Sequence, residues 1–294
     1  MDVTLFDRRV TVTVDTIEIT GLDVAFKVEK TLKPLPNTCE LSIWNLTQEH
    51  QSQLEQLGQV SNGKDHKSKK LSASTNKQAT TGIGCKIEAG YKDATSLIWL
   101  GDLRTVDTVR DGADWVTHLT SGDGEKAWQN AKLHVSYGPK TPLETALRAM
   151  VRALGVGEGN LSKIVSKLKQ AGSAIFPHGT VISGPVSREL QAFAQSADLE
   201  VSIQDGAIQF VDRGKALGGT ALLLSEDTGL LDSPTVDNEG VLSAKMLLIP
   251  DVRCGGLVTM DAARVKGTYR IEQAVWSGDT SSTDWYVEIK GKRY

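Results

Sequence analysis

A hairpin-like segment that occurs twice constrains the fold of this chain more than any other feature. Asp114-Trp115 and Asp284-Trp285 each follow a turn rich in Gly and Asp, about half the chain apart. After each pair the residues alternate between apolar and polar, which is the period of a half-buried strand. A Pro-containing hairpin and a long strand precede both copies. We therefore predict a duplicated β-domain.

The alternation also predicts which side chains share a face of each strand. In the first copy one face carries Trp115, Thr117 and Leu119. In the second copy the matching positions are Trp285, Val287 and Ile289. Because buried aromatic side chains dominate small β-cores, we expect Trp115 and Trp285 to anchor the cores of the two β-domains.

Length and composition set broad limits. A chain of 294 residues is long enough for two or three domains of ~100–150 residues each. A net charge of −3 gives no reason to expect nucleic-acid binding through a basic surface. The three scattered cysteines, Cys39, Cys85 and Cys254, form no CxxC pair, so we expect free buried thiols and neither a zinc site nor a disulfide framework.

No apolar run approaches the ~20 residues that cross a bilayer, and the N-terminal residues lack the apolar core of a signal peptide. We therefore expect synthesis in the cytoplasm and no membrane insertion.

Strand patterns dominate the first and last thirds. Near the N-terminus, Pro34–Asn37 separates two alternating runs and is typical of a hairpin tip. A short helix is predicted from Asn45 or Thr47, ending at Gly58. The lysine-rich segment 60–82 has few large apolar residues, so we interpret it as a mobile surface loop, with a basic contact for an anionic partner as the alternative.

The middle third reads as a small α+β domain. Thr141 and Glu144 fit a capping box, Pro142 fits the first helical position and Gly155 fits the helix end. The apolar stripe of this helix consists of Leu143, Ala146, Leu147, Met150, Val151 and Leu154. Two further amphipathic helices follow, and Asp205-Gly206 predicts a two-residue hairpin turn.

Catalytic and metal-binding patterns are missing from the sequence. The five histidines occur singly without HExxH spacing, there is no GxSxG segment, and Gly155–Asn160 lacks the Lys-Ser/Thr of a phosphate loop. We therefore predict no enzyme activity, no cofactor and no metal. Glu144 could serve a hydrolase in the middle domain, but a capping role explains it better. A carbohydrate-binding module would need more aromatic residues than this chain has.

The sequence resembles the baseplate hub proteins of bacteriophage tails, in order over nearly the whole chain. The segments that carry the resemblance include VAFKVEKTLKPLPNTCELSIWNLT, IEAGYKDATSLIWLGDL and YRIEQAVWSGDTSSTDWYVEIKG. The most specific residues are Pro36, Asn37, Asn45, Leu46, Ala89, Gly90, Tyr91, Asp114, Trp115, Asp284 and Trp285. The lysine-rich loop departs from the compact form expected of this family.

The resemblance implies an α+β, mostly β fold: two tube-protein-like β-barrel domains, residues 1–126 and 218–294, flanking an α+β domain, residues 127–217. It implies a homotrimer whose six barrels form a pseudo-sixfold ring at the tail tip of the virion. The expected partners are the hexameric tail tube or a distal tail protein on one side, a trimeric spike or fibre-bearing protein on the other, and DNA in transit. The alternatives are a distal tail or tube protein and a tail-associated peptidoglycan hydrolase.

Overall fold

The computed structural model describes residues 7–61, 82–92, 94–172, 175–249 and 251–294. The predicted mobile loop, 60–82, lies almost entirely outside these ranges. In the first third the elements are β1 (Arg8–Val14), β2 (Ile17–Ile19), β3 (Val24–Thr31), β4 (Thr38–Trp44), α1 (Gln48–Ser61), β5 (Gly84–Tyr91), β6 (Ala94–Asp111) and β7 (Asp114–Gly122).

The remaining elements separate into a helical middle and a second set of strands. The middle contains α2 (Glu125–Asn130), β8 (Lys132–Tyr137), β9 (Thr141–Pro142), α3 (Leu143–Leu154), α4 (Leu161–Gln170), β10 (Ile175–Phe176), β11 (Thr180–Pro185), α5 (Val186–Ser196), β12 (Leu199–Gln204) and β13 (Ala207–Asp212). The last third contains β14 (Leu222–Leu224), a 3-10 turn (Glu226–Thr228), β15 (Thr235–Val236), β16 (Val241–Leu247), β17 (Leu257–Asp261), β18 (Lys266–Asp279) and β19 (Trp285–Arg293). The α+β, mostly β class is therefore confirmed.

One large sheet joins the first and last thirds. Its 13 described strands run in the order β15-β16-β19-β18-β3-β4-β7-β6-β5-β1-β2, with β17 beside β18 and β14 parallel to β17. The link is an antiparallel pairing of β3 with β18, from Ala25 opposite Asp279 to Thr31 opposite Gln273. Among the described strands, no pairing closes either half into a barrel, so the expected pair of closed barrels is not confirmed.

The two halves of this sheet repeat the same pairing order. In the first half β4 pairs with β7, β7 with β6, and β6 with β5. In the second half β16 pairs with β19, β19 with β18, and β18 with β17. Arg104 forms a bulge in β6, and Glu272 forms a bulge in β18. The bulge at Arg104 lies opposite Thr120 and Ser121, and the bulge at Glu272 lies opposite Lys290 and Gly291. Both pairs come five and six positions after the tryptophan of their hairpin, so the two hairpins have the same register.

The described residues form two hydrophobic clusters. One lies under the large sheet and includes the fully buried Trp99 and Trp276. The other belongs to the helical middle and contains the whole predicted stripe of α3, which confirms the amphipathic pattern. Gly155 ends α3 in the left-handed conformation, with φ 71°, as predicted.

Two helix-end predictions are wrong. The first helix continues past Gly58 to Ser61. Gly58 does not end the helix; it allows the helix to pack closely on β6, where a Cβ at this position would lie 3.0 Å from Val106 Cβ. The capping box of α3 does not form. Pro142 precedes the helix, the Thr141 hydroxyl donates to the Gly138 carbonyl, and Glu144 instead binds Arg148 and Lys169.

The two tryptophans of the repeated hairpin have opposite exposures. Trp285 is 2% exposed and is a core residue as predicted, whereas Trp115 is 46% exposed, so its predicted core role is wrong. Thr117 and Leu119 are buried as expected. Trp115 lies at the start of β7, where no described residue makes a ring contact with it.

We predict that Trp285→Ala lowers the free energy of unfolding by ~3–5 kcal/mol, because it removes a buried ring from a packed site. Trp115→Ala is the matched control and should change it by less than ~1 kcal/mol, as for a partly exposed side chain. Urea unfolding at low protein concentration measures both values. Equal effects of the two substitutions would contradict the difference in burial.

Candidate functional site

Asn45 contacts Asp114 and Trp115 at the start of β7. Asn45 has a φ of 55°, a conformation that Asn tolerates better than most residues. Its side-chain nitrogen donates to Asp114 Oδ1 at 2.9 Å, its Oδ1 accepts from Trp115 N at 3.1 Å, and its backbone N donates to the Trp115 carbonyl at 2.8 Å. Leu46, the next residue, is buried. These bonds hold the backbone of the exposed Trp115 in place.

Ala89, Gly90 and Tyr91 are the last residues of β5, and Tyr91 lies next to Trp285. Gly90 has a φ of 155°, and a Cβ there would lie 2.1 Å from the Ala94 carbonyl oxygen, so this position requires glycine. The Tyr91 ring packs edge-on to Trp285, with 6.4 Å between centroids. Burial raises the pKa of the Tyr91 phenol, and the positive charge of Arg8 opposes that rise.

Arg8 and Phe26 complete the cover over Trp285. The Phe26 ring lies 5.7 Å from the Trp285 ring, edge to face. The Arg8 guanidinium lies 5.4 Å from the same ring. Arg8 also donates to the carbonyls of Asp279, at 3.1 Å, and Ser282, at 2.5 Å, in the loop that carries the exposed Asp284. The second hairpin tip is therefore held by the first half of the sheet.

Pro36 and Asn37, at the tip of the β3–β4 hairpin, contact the helical middle. Asn37 Oδ1 accepts from Thr31 N at 2.9 Å, and its Nδ2 donates to the Ile203 carbonyl at 2.9 Å. Pro36 borders a small gap shared with Trp128 and Ile203. The tip therefore joins the sheet to β12.

Asp123, which the sequence did not single out, lies at the centre of this contact. It is 1% exposed; Oδ1 accepts from Gly206 N at 2.8 Å, and Asn37 Nδ2 lies 3.4 Å from Oδ2. Burial raises the pKa of Asp123 to about 7, and the nearby Asp205 carboxylate adds to the rise. The hydrogen bond from Gly206 and the positive charge of Lys30 act in the opposite direction.

Two buried cations complete what we call the polar joint: Lys30, Asn37, Asp123, Glu200, Asp205 and Arg270. Lys30 donates to Asp205 Oδ1 at 2.6 Å, with its amine 5.5 Å from the Trp276 ring centroid. Arg270 binds both carboxylate oxygens of Glu200, at 2.9 and 3.3 Å. Arg270 also binds Glu272 Oε1, at 2.7 and 2.5 Å. The polar joint therefore links the middle unit to the sheet through hydrogen bonds and ion pairs.

The burial of Lys30 could have been predicted from the alternation in β3, but the sequence analysis did not single it out. Lys30 follows Val24, Phe26 and Val28 on the buried face of β3, a position where an unpaired charge would be costly. A lysine on an apolar face predicts a buried partner. Its partner Asp205 lies 175 positions away, at the predicted Asp205-Gly206 turn, and the sequence alone could not pair them.

The structure offers no support for an active site around Glu144. Hydrogen bonds from Lys169 and Arg148 lower the pKa of its carboxyl, the opposite of what a general acid needs. Among the described residues, no three His, Cys, Asp or Glu side chains are placed to hold a metal ion. None of the described helices is long and apolar enough to cross a membrane.

We predict that stability falls as the pH rises from about 4 to about 7, through the titration of Asp123. The unfolded chain loses this proton near pH ~3.9, whereas the folded protein holds it to a pH of about 7, so folding is favoured at the acid end. Asp123→Asn should remove this part of the slope in urea unfolding across that range. The control is Asp107→Asn at an exposed site. An unchanged slope in the Asp123 variant would contradict the assignment.

Comparison with known families decides the identity of the fold. The family model described as baseplate hub gp41 matches residues 8–291. This chain belongs to that family. The match spans both halves of the large sheet and the helical middle, so the predicted resemblance to phage baseplate hubs is confirmed. Comparison with curated proteins gives no significant match.

Solved structures show the same fold as this hub-family chain. The prophage MuSo2 43 kDa tail protein of Shewanella oneidensis is similar with a TM-score of 0.62 and 11% identity, covering 98% of this chain and 97% of that one. The tail protein of Neisseria meningitidis MC58 gives 0.59 and 10%, with coverage of 98% and 97%. The E. coli c3393 protein gives 0.55 and 7%, with coverage of 96% and 76%. The latter is described as a type VI secretion component similar to the T4 tail proteins gp27 and gp5.

Proposed function

We propose that this chain is a structural, non-catalytic hub that forms a trimeric ring at the tail tip. The ring joins a hexameric tail tube to a trimeric spike or fibre-bearing protein. The observation that carries the proposal is the repeated pairing order with its bulge in the same register. Three chains with two such units each give a ring with six similar surfaces on the side of the tail tube. The same ring has three identical surfaces on the side of the spike or fibre-bearing protein.

In this proposal each half of the large sheet is one tube-like unit, residues 1–126 and 218–294, with the α+β unit, 127–217, between them. A tail tube subunit needs only one such unit. The presence of two in one chain favours a hub over a tube or distal tail protein. The polar joint holds the middle unit in a fixed orientation, as a rigid adaptor requires.

DNA in transit limits the chemistry of the ring's lumen. A wall rich in Lys and Arg would bind phosphates and release counterions, which would retain the DNA. The net charge of −3 is compatible with a lining that does not hold it.

We expect purified protein to have the solution mass of a trimer, three times 31.7 kDa, in light scattering over a range of concentrations. Electron microscopy of the trimer should show a ring with six similar lobes. Addition of the tail tube protein should give a complex that co-elutes from size exclusion. A stable dimer, or a trimer without a ring, would contradict the proposal.

A further inference from the structure

The helical middle packs around a core of its own and is attached to the large sheet by two linkers. Its hydrophobic cluster contains no described residue of the large sheet. Of the described residues between 127 and 217, only Val211 and Leu217 pack in the sheet's cluster. One linker, residues 123–124, joins β7 to α2, and the other, residues 213–221, joins β13 to β14. Units attached in this way can move relative to each other unless a large apolar interface holds them.

The longer linker has few contacts that fix its course. Gly214, Gly218 and Gly219 have φ values of 70°, 87° and 118°, which residues other than glycine rarely adopt. A Cβ at any of the three would have no atom within 4 Å, so no neighbouring group packs against these positions. Between them, Leu217 N donates to the Gly255 carbonyl at 2.9 Å. Once this bond opens, the linker can change direction.

Hydrogen bonds and ion pairs attach β12 and the turn after it to the large sheet. Gln204 Nε2 donates to the Thr31 carbonyl at 2.8 Å. Asn37 Nδ2 donates to Gln204 Oε1 at 3.2 Å, in addition to its bond to the β12 backbone. The two ion pairs of the polar joint add to these bonds. Because these contacts are polar, their strength depends on the charge of the groups that make them.

Two carboxyl groups share one cation at the centre of the polar joint. The Lys30 amine donates to Asp205, at 2.6 Å, and no described residue forms an ion pair with Asp123. Asp123 is 1% exposed; it accepts from Gly206 N at 2.8 Å, and Asn37 Nδ2 lies 3.4 Å from it. The charged groups that act on Asp123 are Asp205 and Lys30. A buried carboxylate without a cation of its own is unfavourable, so a proton on Asp123 stabilises the docked arrangement.

We propose that the middle unit is a hinged body and that a proton on the Asp123 carboxyl holds it against the large sheet. With the proton bound, the carboxyl can still accept from Gly206, and Lys30 neutralises Asp205. When the proton passes to solvent, two carboxylates lie beside one ammonium group. The joint then opens and the middle unit moves on its two linkers, while both units stay folded. This inference goes beyond the hub role and does not depend on the ring, since it concerns a single chain.

The direction of the pH effect follows from the pKa of Asp123 in the two arrangements. Burial, with the Asp205 carboxylate, raises the pKa of Asp123 to about 7 when the unit is docked. In the open arrangement water reaches the carboxyl, which then titrates near pH ~3.9. The proton therefore stabilises docking fully below pH ~4, and this contribution is lost as the pH rises to about 7. We expect the equilibrium constant for opening to rise about a hundredfold from pH ~4.5 to pH ~7.5.

Hydrogen exchange of the intact chain, corrected for the intrinsic pH dependence of exchange, tests the inference. The reporters are the amides of Gly206 and Leu217, which bond across the joint. The references are amides within α3 and β19. At pH ~7.5 the reporters should be protected about tenfold less than the references, or weaker still, and their protection should rise about a hundredfold at pH ~4.5. Equal protection of reporters and references would show that the joint opens only on global unfolding, which would overturn the inference.

Three variants assign the effect to its groups. Asp123→Asn keeps an oxygen that accepts from Gly206 but has no proton to lose, so reporter protection should not change with pH. Asp205→Asn leaves Lys30 to neutralise Asp123, so the loss of protection should occur about one pH unit lower or more. Asp107→Asn, at an exposed site, is the matched control and should behave like the parent. A pH dependence that persists in the Asp123 variant, or an unchanged midpoint in the Asp205 variant, would contradict the proposal.

Infrared spectroscopy of the parent gives a readout that does not require the Asp123 variant to fold. Ordinary carboxyl groups are ionised at pH ~6, whereas the docked Asp123 should still hold its proton. The folded parent should therefore show the band of a protonated carboxyl at pH ~6, and Asp205→Asn should show less of it. Complete ionisation of the carboxyl groups in the folded parent at this pH would overturn the inference.

Discussion

The antiparallel pairing of β3 with β18 is the contact on which the rest of the molecule depends. It makes one sheet out of two sets of strands that are distant in the sequence. It also carries Phe26 onto Trp285 and brings Lys30 beside Trp276. Without this pairing, β3 and β18 would each expose an unpaired edge. Lys30, which β3 carries, would also no longer be held beside Asp205 in the polar joint. Both the packing of the core and the position of the middle unit depend on this strand pairing.

The polar joint shows how a mostly apolar molecule fixes the orientation of an inserted unit. Apolar packing alone tolerates small rotations, whereas Arg270 on Glu200 and Asn37 on β12 fix both direction and distance. Burying these groups is costly, and each is tolerated because it has a partner. A buried carboxyl with a pKa of about 7 means that the joint is sensitive to mild changes of pH.

Local patterns predicted much of the fold. The stripe of α3, the hairpin tips and the alternation of β3 and β19 are set by neighbours in the sequence, and the structure contains them. The exposure of Trp115 was not predictable in this way, because Trp285 owes its burial to residues 8, 26 and 91 and not to its own strand. The capping box failed because other partners bind both of its side chains, starting with the Gly138 carbonyl, which accepts from Thr141. Arg148 and the more distant Lys169 bind the Glu144 carboxylate that a cap would need.

Synthesis adds a constraint that the finished sheet does not reveal. Thr31 and Gln273 pair directly, yet 273 − 31 = 242 positions separate them. At ~5–20 residues per second, β18 leaves the ribosome some ~10–50 s after β3. Throughout that interval the β3–β4 hairpin has an unpaired edge that a second nascent chain could occupy. Slow translation therefore lengthens the time for which this edge is open to pairing with another chain.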